Sequence, residues 1–115
     1  MKRLIAALVL LPAPLAAQDP VFDIAPVTAC LEAGGGQDCI GKAAELCIEA
    51  TPGGSTTFGM GACTYQELSH WDGWLNGFYA DLMSRLKAAD AEALRYSSHA
   101  PKQAEALRDM QRAWI

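Results

Sequence analysis

The sequence predicts an all-α protein: a small disulfide-stapled helical hairpin, followed by a long helix packed against a C-terminal helix. Three observations carry this expectation. From Leu68 to Leu86 the apolar residues recur at steps of three or four, which at about 100° per residue draws one stripe along a helix. Cys30, Cys39, Cys47 and Cys63 all precede that stripe, in a stretch where small alanines and half-cystines suggest close, cross-linked packing. No segment alternates polar and apolar residues as a half-buried strand would.

Taken in order, residues 1–17 stand apart from the domain. Lys2 and Arg3 form a basic start, Leu4 to Leu11 is a short apolar run, and Pro12 and Pro14 break it before Leu15-Ala16-Ala17. This is the pattern of a secretory signal peptide, with cleavage expected after Ala17. The run is too short to cross a bilayer as a helix, so no stable membrane insertion is expected after cleavage. Residues 18–25 read as a flexible, acidic, proline-bounded arm, and 26–115 as the helical domain. Pro26 suits the first turn of a short helix ending near Glu32, before Gly34-Gly35-Gly36. Asp38 is the expected cap of a second helix, Cys39 to Ala50, with Ile40, Ala43, Ala44 and Cys47 on one side.

Thr51 to Thr57 is a loop by its proline, glycines and hydroxyl residues. It lacks the pattern of a phosphate-binding loop and reads as a connector. The long helix is expected from about Tyr65 to about Tyr96, opened by a capping box in Thr64-Tyr65-Gln66-Glu67. Leu68, Trp71, Leu75, Phe78, Leu82 and Leu86 are its expected core stripe, with Asp72, Asn76 and Tyr79 in a polar line beside it. Gly73 and Gly77, each costing roughly 1 kcal/mol against alanine, either admit a close neighbour or mark a bend. Ser97 to Pro101 is a break, and Pro101 can open the last helix. Leu107, Met110 and Trp114 form the apolar side of that helix. Packed antiparallel on the long helix, it would bring Trp114 towards Trp71 and Arg112 towards Asp72.

A chain of 115 residues, 51% of them hydrophobic, has room for one domain. Export makes disulfides the default for four cysteines. They allow three pairings. Cys30–Cys39 with Cys47–Cys63 is preferred because short loops close most readily. Val27-Thr28-Ala29-Cys30 is not read as a lipid-attachment site, since Asp19, Asp23 and two prolines separate it from the apolar run. Neither metal nor other cofactor is expected: there is no paired C-x-x-C, and His70 and His99 fall on different segments. The formal charge of −4 becomes about −6 once Lys2 and Arg3 are removed, which disfavours nucleic acid as a partner. The motifs of serine hydrolases and zinc proteases are absent, and His70 beside Glu67 reads as a solvated residue rather than an acid–base pair.

Three motifs in sequence carry a family resemblance. Thr57, Met60 and Cys63 form T-x-x-M-x-x-C; Trp71, Asp72, Leu75, Asn76 and Tyr79 form W-D-x-x-L-N-x-x-Y; Gln111, Arg112, Ala113, Trp114 and Ile115 close as Q-R-A-W-I. From about Cys47 to Ile115 the chain resembles the LprI-like lysozyme-inhibitor domain, a family of small, secreted, helical bacterial proteins. The family usually continues past that last motif with a short F-R-D stretch and another cysteine, where this sequence stops at Ile115; the resemblance implies that loss of that cysteine would leave Cys47 or Cys63 without it as a partner. The resemblance implies a periplasmic or secreted binding protein that inhibits lysozyme, or another peptidoglycan-cleaving enzyme, by stoichiometric association and is not an enzyme. The alternative is a non-inhibitory structural or accessory protein of the cell envelope, docking through Tyr65 and Trp74. Lysozyme presents two carboxylates beside its sugar cleft, so an acidic inhibitor needs hydrogen-bond donors at the contact. Gly53, Gly54, Ser55, Thr56 and His70 are the candidates for that contact.

Overall fold

A computed structural model describes residues 19–114, so the expected signal peptide and Ile115 lie outside the described residues. The elements are α1 (Ala25–Glu32), a 3-10 turn (Gly36–Cys39), α2 (Lys42–Ala50), α3 (Thr57–Ala93) and α4 (Gln103–Trp114), with no strand among the described residues. The all-α expectation holds, including the packing of α3 on α4. Both disulfides of the short-loop pairing are present, Cys30–Cys39 and Cys47–Cys63.

The front end holds the core. Val27, Cys39 and Ala43 are fully enclosed, with Phe22, Ile24, Cys30, Trp71 and Trp74 packed around them. Cys47 and Cys63 are buried as well, so sulfur fills much of the space that large aliphatic side chains occupy in bigger domains. Residues 19–24, read as a loose arm, lie against this core: Val21 N–H donates to Thr51 Oγ1 at 2.8 Å, and the Phe22 ring stacks on His70.

Two helix starts differ from expectation. The residues from Gly36 to Cys39 wind as a 3-10 turn, Ile40 is extended, and α2 begins at Lys42, so Asp38 does not cap it. The long helix begins at Thr57 rather than Tyr65, leaving Thr64 inside the helix and no capping box. Its cap is Thr56, whose Oγ1 accepts from Gly59 N–H at 3.0 Å and donates to Gly53 O at 2.6 Å. Gly59 and Gly61 weaken the local helix signal, which is why the sequence reads as a turn there. Tertiary contacts override that weakness. Cys63 is bonded to Cys47, and Gly59 lies so close to Gly53 and Gly54 that a side chain at Gly59 would collide with their backbone, as one at Gly54 would with the backbone of Ile48 and Thr51. Gly73 and Gly77, by contrast, face open space within an unbroken helix.

The expected core stripe is the largest departure. Leu68 is 59% exposed, Leu75 53%, Phe78 74% and Leu82 44%. The hairpin packs along the Cys63, Glu67 and Trp74 flank of α3, whereas α4 lies along Tyr79, Met83 and Asp90. At 100° per residue these two flanks fall on opposite sides of α3, and the stripe runs between them uncovered.

The start of α4 is held by a carboxylate from α3: Asp90 accepts from Gln103 N–H at 3.0 Å and Ala104 N–H at 2.9 Å. No residue of α4 is fully buried. The ion pairs Lys102–Glu105 and Arg108–Glu105 are solvent-exposed and contribute little. Asp90→Ala should therefore cost about 1 kcal/mol. Hydrogen exchange in residues 103–112 should accelerate in this variant while residues 42–67 keep their protection.

Twelve residues of α4 extend only about 18 Å. Running antiparallel from Asp90, the helix ends level with Tyr79, short of Trp71. Trp114 is accordingly 83% exposed. No Arg112–Asp72 ion pair forms among the described residues, and Asp72 instead accepts from Asn76 Nδ2 at 3.1 Å.

Candidate functional site

The best-defined polar centre is one the sequence did not single out as such. Glu67, expected at a helix start, points from α3 into the hairpin and caps α2 across space. Its Oε1 accepts from Gly41 N–H at 2.6 Å and Trp71 Nε1–H at 2.9 Å, and its Oε2 from Ala44 N–H at 2.8 Å. Burial alone raises the carboxyl pKa, but the hydrogen bonds from the Trp71 indole and the α2 amides outweigh it. The net pKa lies below its ordinary 4.5. All four of these groups are thus committed to structure, and Glu67 does not meet His70 as an acid–base pair.

Thr51 is a second buried node. Its hydroxyl oxygen accepts from Val21 N–H and lies 3.7 Å from Cys47 Sγ and 3.8 Å from Cys63 Sγ, tying the arm to the disulfide. Sequence offered no signal for this role beyond a hydroxyl residue at a helix end.

The nominated contact loop follows directly. Gly54 N–H donates to Thr51 O at 2.8 Å and Thr56 N–H to Gly53 O at 3.1 Å, while Gly54 is buried. Several of its expected donors therefore close the loop on itself, and the Ser55 and Thr56 side chains stand at the surface. His70 is exposed, with one ring neighbour in Phe22 at 5.6 Å and another in Trp74 at 6.1 Å. Loop and histidine are separated along α3 by about 20 Å.

The remaining motif residues are spread along α3 and α4. Thr57 opens α3, and Met60 beyond it is exposed; Cys63 is the buried half-cystine. Trp71 meets Trp74 edge-on at 5.1 Å. Together with Thr28, Leu31, Glu32, Leu75 and Phe78 these rings line an open, mainly apolar groove of about 600 Å³ between α1 and α3. Tyr79 lies half-buried near α4; Gln111 is half-buried on α4 and Arg112 exposed. Every cysteine is disulfide-bonded, and among the described residues no three potential metal ligands gather. Among them, too, no helix is long and apolar enough to cross a membrane.

Fold and surface together define a small, disulfide-stapled, all-α module that displays apolar faces and a few hydroxyl and imidazole groups. The chain matches the family model described as Lysozyme inhibitor LprI over residues 47–115, and it belongs to that family. The match begins at Cys47 and includes all three motifs. Neither a curated protein nor a solved structure matched it.

Proposed function

We propose that the protein is an exported inhibitor of lysozyme that acts in the bacterial cell envelope by stoichiometric binding, without turnover. The observation that carries this reading is the family match over residues 47–115. Two disulfides suit an oxidising compartment. Many lysozymes are basic, and an acidic inhibitor is steered towards them, chiefly through the association rate. In this reading the contact is made by the Gly53 to Thr56 loop, with the Ser55 hydroxyl as a donor, and by the exposed imidazole of His70.

The test is lysis of bacterial cell walls by a c-type lysozyme, followed by turbidity while the oxidised protein is titrated in. Inhibition should saturate near one equivalent and weaken as salt screens the charges. A folded sample that leaves lysis unchanged would favour the accessory-protein reading. Ser55→Ala with His70→Ala should weaken inhibition without loss of helix; unchanged inhibition would remove loop and histidine from the contact.

A further inference from the structure

We propose that the exposed stripe of α3 is the interface of an antiparallel homodimer. Leu68, Leu75, Phe78 and Leu82 stand uncovered in helical register, and no lysine or arginine interrupts them. A contiguous apolar face of this kind marks an interaction site. Its pattern is what selects a second copy as the occupant.

The stripe is nearly symmetric about Leu75. Leu68 precedes it by the same interval at which Leu82 follows, and Trp71-Asp72 mirrors Phe78-Tyr79. A two-fold axis at Leu75 therefore makes the face self-complementary, as an isologous dimer requires. Each Leu68 meets Leu82 of the second copy, and each Phe78 ring meets the other Trp71. Each Tyr79 hydroxyl comes level with the other Asp72 carboxylate, to which it can donate. The Asp72 charges are offset along the axis rather than placed opposite each other.

The C-terminal helix extends the same surface. Met110 is 70% exposed and Trp114 83% exposed at the end of α4, level with Tyr79 and Met83 of their own chain. In the antiparallel pair that level coincides with Leu68 to Trp71 of the second copy, so the two α4 ends cover the outer turns of the interface. Aromatic side chains bury about 150–250 Å² each. Phe78, Trp114 and Met110 with the leucines thus bring the contact to roughly 600–800 Å² per protomer, within the range of a standard stable interface. The Gly53 to Thr56 loop precedes α3 and His70 stands on another face of it, so dimerisation leaves both accessible.

Sedimentation velocity of the exported, oxidised protein over the micromolar range tests this. The wild type should sediment as a dimer. Leu75→Glu and Phe78→Glu should each sediment as a monomer with an unchanged helical circular dichroism spectrum, because both side chains are exposed in the single chain. Ser84→Glu, on the opposite side of α3, should remain dimeric. A wild-type monomer throughout the range overturns the proposal, and so does a dimer that survives both glutamate substitutions. This readout requires no lysozyme, so it stands apart from the inhibition assay.

Discussion

Replacing Cys47 and Cys63 together by alanine is expected to lower stability by about 3 kcal/mol through loss of the cross-link alone, given the sixteen-residue separation. Loss of sulfur volume from a closed core adds to that. For a domain of this size such a loss is a large fraction of the total. The reason lies in what the bond joins. It fixes the first turns of α3 to the end of α2 and sits against Thr51, which in turn holds the arm. Without it, the Thr56 cap and the backbone contacts of Gly59 are left to hold the first turn of α3. Urea unfolding monitored by tryptophan fluorescence would measure the effect, since Trp71 and Trp74 pack against this core while Trp114 is exposed. A midpoint equal to that of the intact protein would show that the hairpin packs on α3 without its staple.

Glu67→Ala is expected to cost a similar amount, about 3 kcal/mol. Hydrogen bonds to a charged group contribute roughly 1.5–3 kcal/mol each and do not simply add, but removing the carboxylate strands three donors at once. Two of them are orphan amides at the start of α2, where a negative charge also favours the helix dipole. Glu67→Gln keeps one acceptor oxygen and should cost less. The pH dependence has a definite sign. The folded pKa of Glu67 lies below its ordinary 4.5, so its contribution is complete above that value and fades as pH falls through the folded pKa. Denaturant unfolding of wild type and Glu67→Gln between pH 7 and pH 3 should therefore converge on the acid side. Parallel curves throughout would mean that the Glu67 carboxylate does not contribute to acid sensitivity.

Much of this fold is legible in the chain. Pro26, the triple glycine and the Ser97–Pro101 break each locate an element boundary to within a few residues, and the Thr51–Thr57 loop marks the end of α2, because backbone restrictions act locally. Period-3.6 recurrence identifies α3 and α4 for the same reason. The stripe was legible as a face but not as an exposed one. Periodicity records which residues align, whereas burial depends on where the neighbouring helices land, and here they land on either side of it. Glu67 shows the same limit. Three residues after a threonine it satisfies a capping box on paper, yet Cys63–Cys47 pulls the helix start back and hands the carboxylate to another helix.

For the candidate site, the family motifs were readable, and the match over residues 47–115 agrees with them. Their spatial roles were not. Cys63, Trp71 and Asp72 lie within three turns of one helix but serve a staple, a core edge and an exposed surface. The sequence by itself determined the helical class and the family, since these follow from local spacing and residue identity; it favoured the short-loop disulfide pairing without choosing it, and the structure made that choice. Only the tertiary structure decided which helix Glu67 and Asp90 cap, and that the front of the protein is closed by sulfur. It also decided that the apolar face of α3 stays open, because each of these depends on residues that meet across space.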